Sequence, residues 1–482
     1  MPRLVLILFV GFSALMCADP GFAADVPNIV LVMPDDMGWG DIGAHGNPLI
    51  KTPNLDRLHG ESLRFTDFHV SPTCAPTRSA LLTGRHEFKN GVTHTINERE
   101  RLTLDAVTLA QVLKTAGYTT GIFGKWHLGD DDPHQPFNRG FDETFIHGCG
   151  GIGQSYPGTC GDFPGNEYFN PVVRHNGTPV RTDGYCTDVF FHRALDWMSD
   201  RGSEAKPFFA YITPNAPHSP LISPGHQYDE LYEGKEINGK KLADKDVAYY
   251  SMITNIDENL GKLMGMLKTR NLEQNTLLIF MSDNGGTHTR LYSGGFRGQK
   301  VMPYYGGTHS PAFWRWPARI SGGQDCRAMT AHIDILPTLM EVTGAKWTDP
   351  LRKQVEGRSL APLLKDPGAE WADRTLVTHA GRWPKGQVAE SKYRQCAIRN
   401  TRFTLVNNVE LYDLVADPGQ TMNVISEHPQ VVAELQKAYD QWWSDIQPLL
   451  VNEDAPVPAV NPYKELYERT LGKANQAAPQ GR

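Results

Sequence analysis

The sequence lacks the basic runs expected of a nucleic-acid-binding protein. No run of lysine or arginine is longer than a pair, and 47 basic residues face 54 acidic residues, for a formal net charge of −7. Because binding to a phosphate backbone needs a basic face, this balance argues against a nucleic acid as partner. With 40% hydrophobic and 21% charged residues, the chain has the composition of an ordinary globular protein.

The sequence also lacks a membrane-spanning run after its first residues. A span needs about 20 consecutive apolar residues, and no such run follows residue 24. Residues 1–24 combine Arg3, an apolar run over Leu4–Ala18, and small residues at Ala23 and Ala24. That is the pattern of a secretory signal peptide. We therefore expect an exported protein, periplasmic or secreted, without stable membrane insertion.

Cysteine is scarce, with seven in the chain and six beyond the expected signal peptide. Export permits disulfides, and Cys149, Cys160 and Cys186 lie close together in a glycine-rich region, so one local bridge among them is expected. Six cysteines allow many combinations, so the sequence leaves open which of Cys149, Cys160, Cys186, Cys326 and Cys396 form disulfides with one another.

Four segments share one layout, in which a short apolar run is followed at once by polar residues. Uninterrupted apolar runs of this kind are typical of strands buried on both faces, as in a parallel sheet. The runs are Ile29–Met33, Tyr118–Phe123, Phe208–Thr213 and Leu277–Met281. Helical patterns lie between them, at Asp105–Ala116 and Asp188–Met198. This alternation predicts an α/β fold with a large mixed, mostly parallel sheet flanked by helices.

Each of the four predicted strands is followed by side chains that can do chemistry. They are Asp35 and Asp36, Lys125 and His127, His218, and Asp283 and Asn284. A single polar residue after a strand is usually part of a turn. In parallel sheets, however, ligands bind beyond the carboxyl ends of the strands. Four such groups together therefore predict one common site at that edge.

After about residue 365 the pattern changes to short strands without long helices between them. These strand patterns are Arg374–His379, Gln395–Ile398, Arg402–Asn407 and Glu410–Leu414. An amphipathic helix over Gln430–Ile446 follows. We predict a catalytic α/β domain over residues 25–370 and a C-terminal α+β subdomain over residues 371–465, made of an antiparallel sheet plus a helix. A flexible tail is expected over residues 466–482.

The most informative motif is Cys74–Arg78, with the sequence Cys-Ala-Pro-Thr-Arg, followed by Leu-Thr-Gly at residues 82–84. It resembles the type I sulfatase motif, Cys-x-Pro-Ser/Thr-Arg with Leu-Thr-Gly after it. Further segments match in order and spacing at Asn28–Gly43, Gly124–Gly129, Ser282–Gly286, Asp334–Thr338 and Leu411–Leu414. Together they are similar to the arylsulfatase-like branch of the alkaline-phosphatase superfamily over most of the mature chain.

The resemblance implies that Cys74 is oxidised to formylglycine (3-oxoalanine) by a formylglycine-generating enzyme. The aldehyde hydrates to a geminal diol. A sulfated diol can lose its sulfate by elimination once its second hydroxyl is deprotonated, which regenerates the aldehyde. The alternative for Cys74 is an ordinary buried or disulfide-bonded cysteine.

Asp35, Asp36, Asp283 and Asn284 supply hard oxygen ligands without sulfur or imidazole. Such a set suits Ca²⁺ or Mg²⁺ better than Zn²⁺. In the family that the chain resembles, one ion is bound, usually calcium, and an oxygen of the modified Cys74 completes its shell.

A sulfate monoester also needs cations around its non-bridging oxygens. The residues that match the family positions for this task are Arg78, Lys125, His127, His218 and Lys300. By resemblance, His127 is the base toward the second hydroxyl. His218 or Lys300 would donate a proton to the departing alcohol oxygen or stabilise it, and the sequence leaves these two roles undivided.

One segment departs from the family pattern, and one insertion has two interpretations. Many relatives carry Glu-Gly-Gly-x-Arg-x-Pro where this chain has Tyr305–Pro311, so a substrate cannot be borrowed from a similar relative. The glycine-rich insert Gly148–Asn170 is either a wall of the pocket or a disulfide-tied surface loop.

The resemblance implies a sulfuric ester hydrolase that removes sulfate from sulfated carbohydrates or from aryl sulfates. The family's pocket is usually closed around the sulfate, which favours terminal sulfate esters. An alternative is a phosphodiester or phosphonate monoester hydrolase on the same scaffold. Another alternative, of a different class, is a non-catalytic protein that binds sulfated glycans, if Cys74 is never converted.

Overall fold

The structure is a computed structural model that describes residues 26–148, 150–202, 204 and 206–472. The expected signal peptide, Cys149 and residues 473–482 lie outside the described residues. The strands are β1 (Asn28–Val32), β2 (Leu63–Phe65), β3 (Phe68–His69), β4 (Thr119–Lys125), β5 (Glu143–His147), β6 (Val172–His175), β7 (Thr178–Arg181), β8 (Phe208–Thr213), β9 (Glu236–Ile237), β10 (Lys240–Lys241), β11 (Thr276–Met281), β12 (Ala312–Arg315), β13 (Gln324–Cys326), β14 (Thr330–Ala331), β15 (Leu376–His379), β16 (Cys396–Arg399), β17 (Phe403–Val406) and β18 (Glu410–Asp413). The α-helices are α1 (Pro53–Glu61), α2 (Cys74–Thr83), α3 (Leu109–Thr115), α4 (Cys186–Arg201), α5 (His226–Asp229), α6 (Asp244–Thr269), α7 (Tyr305–Thr308), α8 (Ile335–Thr343), α9 (Asp349–Gln354), α10 (Ala361–Lys365), α11 (Pro429–Ile446) and α12 (Pro462–Tyr467).

Ten strands form the main sheet, in the order β13-β2-β12-β11-β1-β8-β4-β5-β6-β7. Its five central strands, β11-β1-β8-β4-β5, are all parallel. Antiparallel pairing extends the sheet on both sides, from β11 to β12 and from β5 through β6 to β7. The predicted mixed, mostly parallel α/β sheet is confirmed.

The central strands are apolar throughout because both faces of the sheet are covered. In β1, Ile29 and Leu31 belong to one buried cluster, whereas Val30 and Val32 belong to the cluster on the other face. Successive side chains of a strand point to opposite faces, so an uninterrupted apolar run is what two covered faces require. All four predicted runs lie in such strands.

One helix begins later than its apolar pattern predicts. The prediction placed it over residues 105–116, but α3 begins at Leu109 because Thr108 caps it. The Thr108 hydroxyl accepts from the Gln111 amide at 3.2 Å, and the Gln111 side chain accepts from the Thr108 amide at 2.9 Å. This capping box satisfies the first free amides of the helix and ends the preceding turn. The helix predicted over residues 188–198 lies within α4.

The C-terminal part forms a separate antiparallel sheet, β15-β16-β17-β18, covered by α11. Leu435, Tyr439 and Trp443 of α11 share a buried cluster with Ile398 and Leu405 of the sheet. This confirms the predicted α+β architecture, and the residue boundaries of the two units stay a prediction. The chain then returns to the α/β unit. There Leu466, at the start of the predicted tail, is packed in one cluster with Phe163 of the glycine-rich insert Gly148–Asn170.

Cys186, Cys326 and Cys396 are free buried thiols, whereas Cys160 is disulfide-bonded. A local bridge therefore does not include Cys186, whose Sγ instead donates to Asn215 Oδ1 at 3.1 Å. Among the described residues, no helix is both long enough and apolar enough to cross a membrane.

Candidate active site

Four adjacent strands, β11, β1, β8 and β4, deliver polar side chains to one edge of the main sheet. Helix α2 begins at this edge with Cys74, and the loop after β11 adds Lys300. Direct contacts connect all the predicted site residues into one cluster, namely Asp35, Asp36, Cys74, Arg78, Lys125, His127, His218, Asp283, Asn284 and Lys300. The edge predicted to hold a common site therefore carries a buried, highly charged cluster.

Three cations and three carboxylates of this cluster are paired. Lys125 Nζ lies 2.5 Å from Asp35 Oδ2, and both side chains are fully buried. Lys300 Nζ lies 2.6 Å from Asp36 Oδ1. Burial opposes ionisation of Asp36, but Lys300, His218 and Lys125 together hold its pKa below the usual value. The third pair joins an arginine to Asp283, so the charges of the cluster balance.

The carboxylates and the amide present oxygens that no protein group satisfies. Asp35 Oδ1 and Asn284 Oδ1 are buried without a hydrogen-bond partner. The Asn284 amide nitrogen donates to Asp36 Oδ1 at 2.9 Å, which fixes the orientation of that side chain. Ligand atoms of Asp35, Cys74 and Asp283 lie within 4.8 Å of one another. Orphaned hard oxygens converging in this way fit a divalent cation.

The electrostatics of the carboxylates point the same way. Burial, with the neighbouring Asp36 and Cys74, raises the pKa of Asp35 to about 6 against the effect of Lys125. Burial and the Asp35 carboxylate likewise raise the pKa of Asp283 to about 6. A bound divalent cation would relieve the repulsion that raises these values.

Arg78 is oriented toward the protein and not toward open space. Its guanidinium is fully buried, and Nη2 and Nε donate to Asp283 Oδ2 at 2.7 and 3.2 Å. Nη1 donates to the Lys125 carbonyl at 2.9 Å. This bonding favours a role in holding Asp283 and Lys125 in place over direct contact with a substrate.

His127 lies next to Cys74 as an uncharged ring with a fixed orientation. Its Nε2 lies 2.8 Å from the Thr95 carbonyl, and its Nδ1 lies 3.4 Å from Cys74 Sγ. Because a carbonyl only accepts, the proton is on Nε2 and the lone pair of Nδ1 faces residue 74. Burial and the Lys125 charge keep the pKa of His127 well below its usual value, so the ring is uncharged. Its backbone φ of 59° is rare for a non-glycine residue, and such conformations are found most often at functional sites.

The insert Gly148–Asn170 contacts the loop that carries His218. A Cβ on Gly151 would lie 2.7 Å from His218 Nδ1, and Gln154 Nε2 donates to the Ser219 carbonyl at 3.3 Å. His218 Nδ1 itself donates to that carbonyl at 2.8 Å, which leaves Nε2 facing Asp36 at 3.8 Å. The insert therefore lies against the site, and it also contains the disulfide-bonded Cys160.

The segment that departs from the family pattern forms a buried network. The Tyr305 hydroxyl donates to Asp67 Oδ1 at 2.6 Å, and His69 Nε2 lies 2.8 Å from the same oxygen. Arg399 of the C-terminal sheet reaches His69 Nδ1 at 2.9 Å. None of these contacts involves the predicted metal ligands. An arginine from another part of the chain thus supplies a cation to the region where the family motif has its own.

Two residues of the site, Thr95 and His147, were not predicted from the sequence. Thr95 acts through its backbone carbonyl, which no side-chain pattern could indicate. His147 ends β5, pairs in register with Lys125, and is fully buried with neither ring nitrogen hydrogen-bonded. Only two apolar residues, Phe145 and Ile146, precede His147, so the pattern of the four predicted strands could not indicate it.

Comparisons with known proteins agree with the fold and show the family of the chain. The model of the Sulfatase family matches residues 27–345, and the model described as N-sulphoglucosamine sulphohydrolase, C-terminal, matches residues 295–445. N-acetylgalactosamine-6-sulfatase of Mus musculus is 30% identical over 430 residues, which cover 85% of this chain and 78% of the relative. Arylsulfatase A of Homo sapiens is 31% identical over 471 residues, with 89% of each chain covered.

Solved structures share the fold of this chain. Ps i-CgsB in complex with k-i-k-neocarrahexaose superposes with a TM-score of 0.75 and 25% identity, covering 94% of this chain and 98% of that one. The phosphonate monoester hydrolase of Agrobacterium radiobacter has a TM-score of 0.60 at 20% identity over 88% of this chain and 96% of its own, which shows a shared fold alone. The Sulfatase family model matches more than half of the chain, and the two relatives are 30% and 31% identical to it over most of its length. The chain therefore belongs to the sulfatases, the sulfuric ester hydrolases of the alkaline-phosphatase-like superfamily.

Proposed function

We propose that this sulfatase acts through a formylglycine at position 74 and one bound divalent cation, and that it removes sulfate from carbohydrates. The observation that carries the proposal is the position of Cys74 Sγ. It lies among the ligand atoms of Asp35 and Asp283 and faces the unprotonated Nδ1 of His127. A residue at this place has a cation site on one side and a base on the other.

Maturation requires a partner, a formylglycine-generating enzyme, which catalyses the oxidation of the Cys74 thiol to an aldehyde by an external oxidant, with loss of the sulfur. Water adds to the aldehyde and gives a diol with two hydroxyl groups. We also propose that the protein is exported, because its first 24 residues have the pattern of a signal peptide.

The cation would be held by Asp35, Asp36, Asp283 and Asn284, with residue 74 as the fifth ligand. Oxygen donors alone favour Ca²⁺, with Mg²⁺ as the alternative. When bound, the ion lowers the pKa of the attacking hydroxyl and neutralises charge on the sulfate oxygens.

The chain's own residues bind the ester and move the protons. Lys125 and Lys300 offer ammonium donors to the non-bridging oxygens of the sulfate. The first hydroxyl of residue 74 loses its proton to water, and as its oxygen bonds to sulfur, the bond from sulfur to the alcohol oxygen breaks. Lys300 is the better placed donor to that oxygen, because the ring proton of His218 is already donated to the Ser219 carbonyl.

The second step releases the sulfate. His127 Nδ1 takes the proton of the second hydroxyl, the bond from residue 74 carbon to the sulfate oxygen breaks, and the aldehyde re-forms. Free sulfate leaves, and water hydrates the aldehyde again. Atoms balance over the cycle, with one water consumed for each ester hydrolysed.

The burial of the site and the names of the relatives support one substrate class. Cys74 is 2% exposed, so the reacting group must enter a narrow site, which suits a sulfate at the end of a chain. The relative N-acetylgalactosamine-6-sulfatase is named for a sulfated amino sugar, and Ps i-CgsB was solved in complex with the oligosaccharide k-i-k-neocarrahexaose. We therefore propose a terminal sulfate of a sulfated oligosaccharide, with slower turnover of aryl sulfates.

Two measurements test the proposal. The tryptic peptide Phe65–Arg78 of active protein is expected to contain an aldehyde in place of the Cys74 thiol by mass spectrometry. A screen of sulfated oligosaccharides of defined linkage, with an aryl sulfate, an aryl phosphate and a phosphonate ester beside them, is expected to favour a sugar sulfate. An active preparation with only unmodified cysteine, or faster cleavage of a phosphorus ester, would contradict it.

A further inference from the structure

Residues 93–99 form a small closed loop, here called the strap, between the active site and the C-terminal subdomain. The amides of Thr93 and His94 donate to the Arg99 carbonyl at 3.1 and 3.3 Å, which closes the loop. At its tip Asn97 and Glu98 have φ values of 65° and 66°, a left-handed pair that forms the turn. The strap is therefore a defined local structure that other parts of the chain can hold in place.

On one side the strap fixes the catalytic histidine. The Thr95 carbonyl accepts from His127 Nε2 at 2.8 Å, and this bond keeps the lone pair of Nδ1 directed at residue 74. If the carbonyl moves, the histidine can rotate or take up its proton on the other nitrogen. A base misplaced by about 1 Å can cost two orders of magnitude in rate.

On the other side the strap is bound to the C-terminal subdomain. Arg382 Nη2 donates to the Thr95 hydroxyl at 3.0 Å, and the Arg382 amide donates to the Thr93 carbonyl at 3.2 Å. Arg99 extends from the strap and donates to the Trp383 carbonyl at 2.7 Å and to Glu453 at 2.9 Å. These bonds join residues that are about 290 positions apart in the chain, as in Thr95 and Arg382.

Arg382 is itself held in an uncommon conformation. Its φ is 58°, and Gly381 before it has a φ of 60° with a Cβ position only 1.9 Å from the Thr93 carbonyl. A non-glycine residue in this region persists only where surrounding contacts hold it there. The close approach of the two backbones brings the Arg382 side chain to Thr95.

We propose that Arg382 is a positioning residue, through which the C-terminal subdomain holds the strap so that Thr95 keeps His127 aimed at residue 74. The inference rests on the proposed function, in which His127 takes the proton of the second hydroxyl. The groups that bind the sulfate do not contact Arg382. Its loss is therefore expected to slow the release of sulfate from residue 74, which lowers kcat and KM together and leaves kcat/KM unchanged.

The test compares Arg382→Ala with Arg382→Lys and Thr95→Val in the full-length, matured enzyme. Alanine and lysine at position 382 have the same backbone requirement, but only lysine keeps a donor for Thr95. Thr95→Val keeps the carbonyl that binds His127 and removes the hydroxyl that binds Arg382. Lys385→Ala is the matched control, because this exposed lysine lies on the same loop and donates to the Ala455 carbonyl.

We expect Arg382→Ala and Thr95→Val each to lower kcat about tenfold, the scale of one lost charge-assisted hydrogen bond. The double variant should lose no more than either single variant, and Arg382→Lys should recover most of the rate. Since His127 acts in the second step, Arg382→Ala should release aryl alcohol from an aryl sulfate in a burst, followed by a slower steady state. Lys385→Ala should match the wild type.

Wild-type kcat in both Arg382→Ala and Thr95→Val would overturn the inference, as would additive losses in the double variant. An equal loss in Arg382→Lys and Arg382→Ala, with unchanged thermal unfolding, would also overturn it. These outcomes are distinct from failure of the proposed function, in which the wild type itself would release no sulfate or would keep an unmodified Cys74.

Discussion

Replacing Asp283 by alanine should remove two things at once, a metal ligand and the partner of a buried arginine. In the wild type, Asp283 Oδ2 lies 2.7 Å from Arg78 Nη2, and both side chains are fully buried. Without the carboxylate, the guanidinium stays buried and unpaired. Breaking a buried pair in this way lowers the free energy of unfolding by about 3–5 kcal/mol.

The loss of the ligand can be separated from the loss of the pair by adding calcium. A ligand present at about 100 times its Kd raises the free energy of unfolding by about 2.7 kcal/mol. If the variant binds calcium about 100-fold more weakly, the same concentration adds only about 0.4 kcal/mol. The Asp283→Ala protein should therefore lose most of the stabilisation by calcium as well as its basal stability.

Asp334→Ala is the matched control for this experiment. Asp334 is fully buried and accepts from Arg374 Nη1 at 2.8 Å, so it forms a comparable ion pair away from the site. Thermal unfolding is measured in chelator and in excess calcium, with calorimetric titration of calcium into each protein. Asp334→Ala should be destabilised in both conditions and keep the calcium-dependent shift. A wild-type calcium shift in Asp283→Ala would refute the metal site.

Gly151→Ala should lower kcat/KM about tenfold, because the added Cβ would lie 2.7 Å from His218 Nδ1. Gly265→Ala is the control, because a Cβ there meets open space and should leave kcat/KM unchanged. Equal kcat/KM values for the two variants in steady-state assays would contradict this. Glu100→Gln should stabilise the protein at pH 8 but not at pH 4. Burial raises the pKa of Glu100 to about 8, and neither of its oxygens has a partner. The folded state thus keeps a proton that the unfolded state releases above its pKa of 4.5, and the free energy of unfolding falls by up to about 1.4 kcal/mol per pH unit up to pH 8. Melting curves at several pH values check this, and parallel pH dependence of both proteins would contradict it. Cys74→Ser should abolish turnover in a host that cannot oxidise serine, with thermal unfolding unchanged.

The sequence could predict the centre of the sheet because its strands carry a strong and simple signal. The runs at Ile29–Met33, Phe208–Thr213 and Leu277–Met281 are apolar without interruption, since both faces of these strands are covered. The same runs also predicted that the polar residues after them lie together, because the carboxyl ends of parallel strands meet at one edge of the sheet. Strands such as β2 and β12 are short and lie outside the parallel centre, and they gave no comparable pattern.

The rest of the site depends on long-range contacts that leave no local pattern. Lys300 follows no predicted strand, and only the family resemblance indicated it. The Thr95 carbonyl is a backbone group, and its role follows from the path of the strap. Arg382 comes close to it only after the C-terminal subdomain has docked. Such contacts join distant parts of the chain, so composition and periodicity carry no information about them.

The pairing of three carboxylates with three cations sets the net charge of the site, and this charge determines how strongly the product sulfate inhibits the reaction. Asp35, Asp36 and Asp283 cancel Arg78, Lys125 and Lys300, so a bound divalent ion leaves the site with two positive charges. A sulfate ester carries one negative charge and compensates half of this excess, whereas the sulfate that is set free carries two and compensates all of it. In a buried site such differences are felt strongly. The enzyme should therefore hold its inorganic product more tightly than its substrate, and sulfate in the surroundings would act as a brake on desulfation.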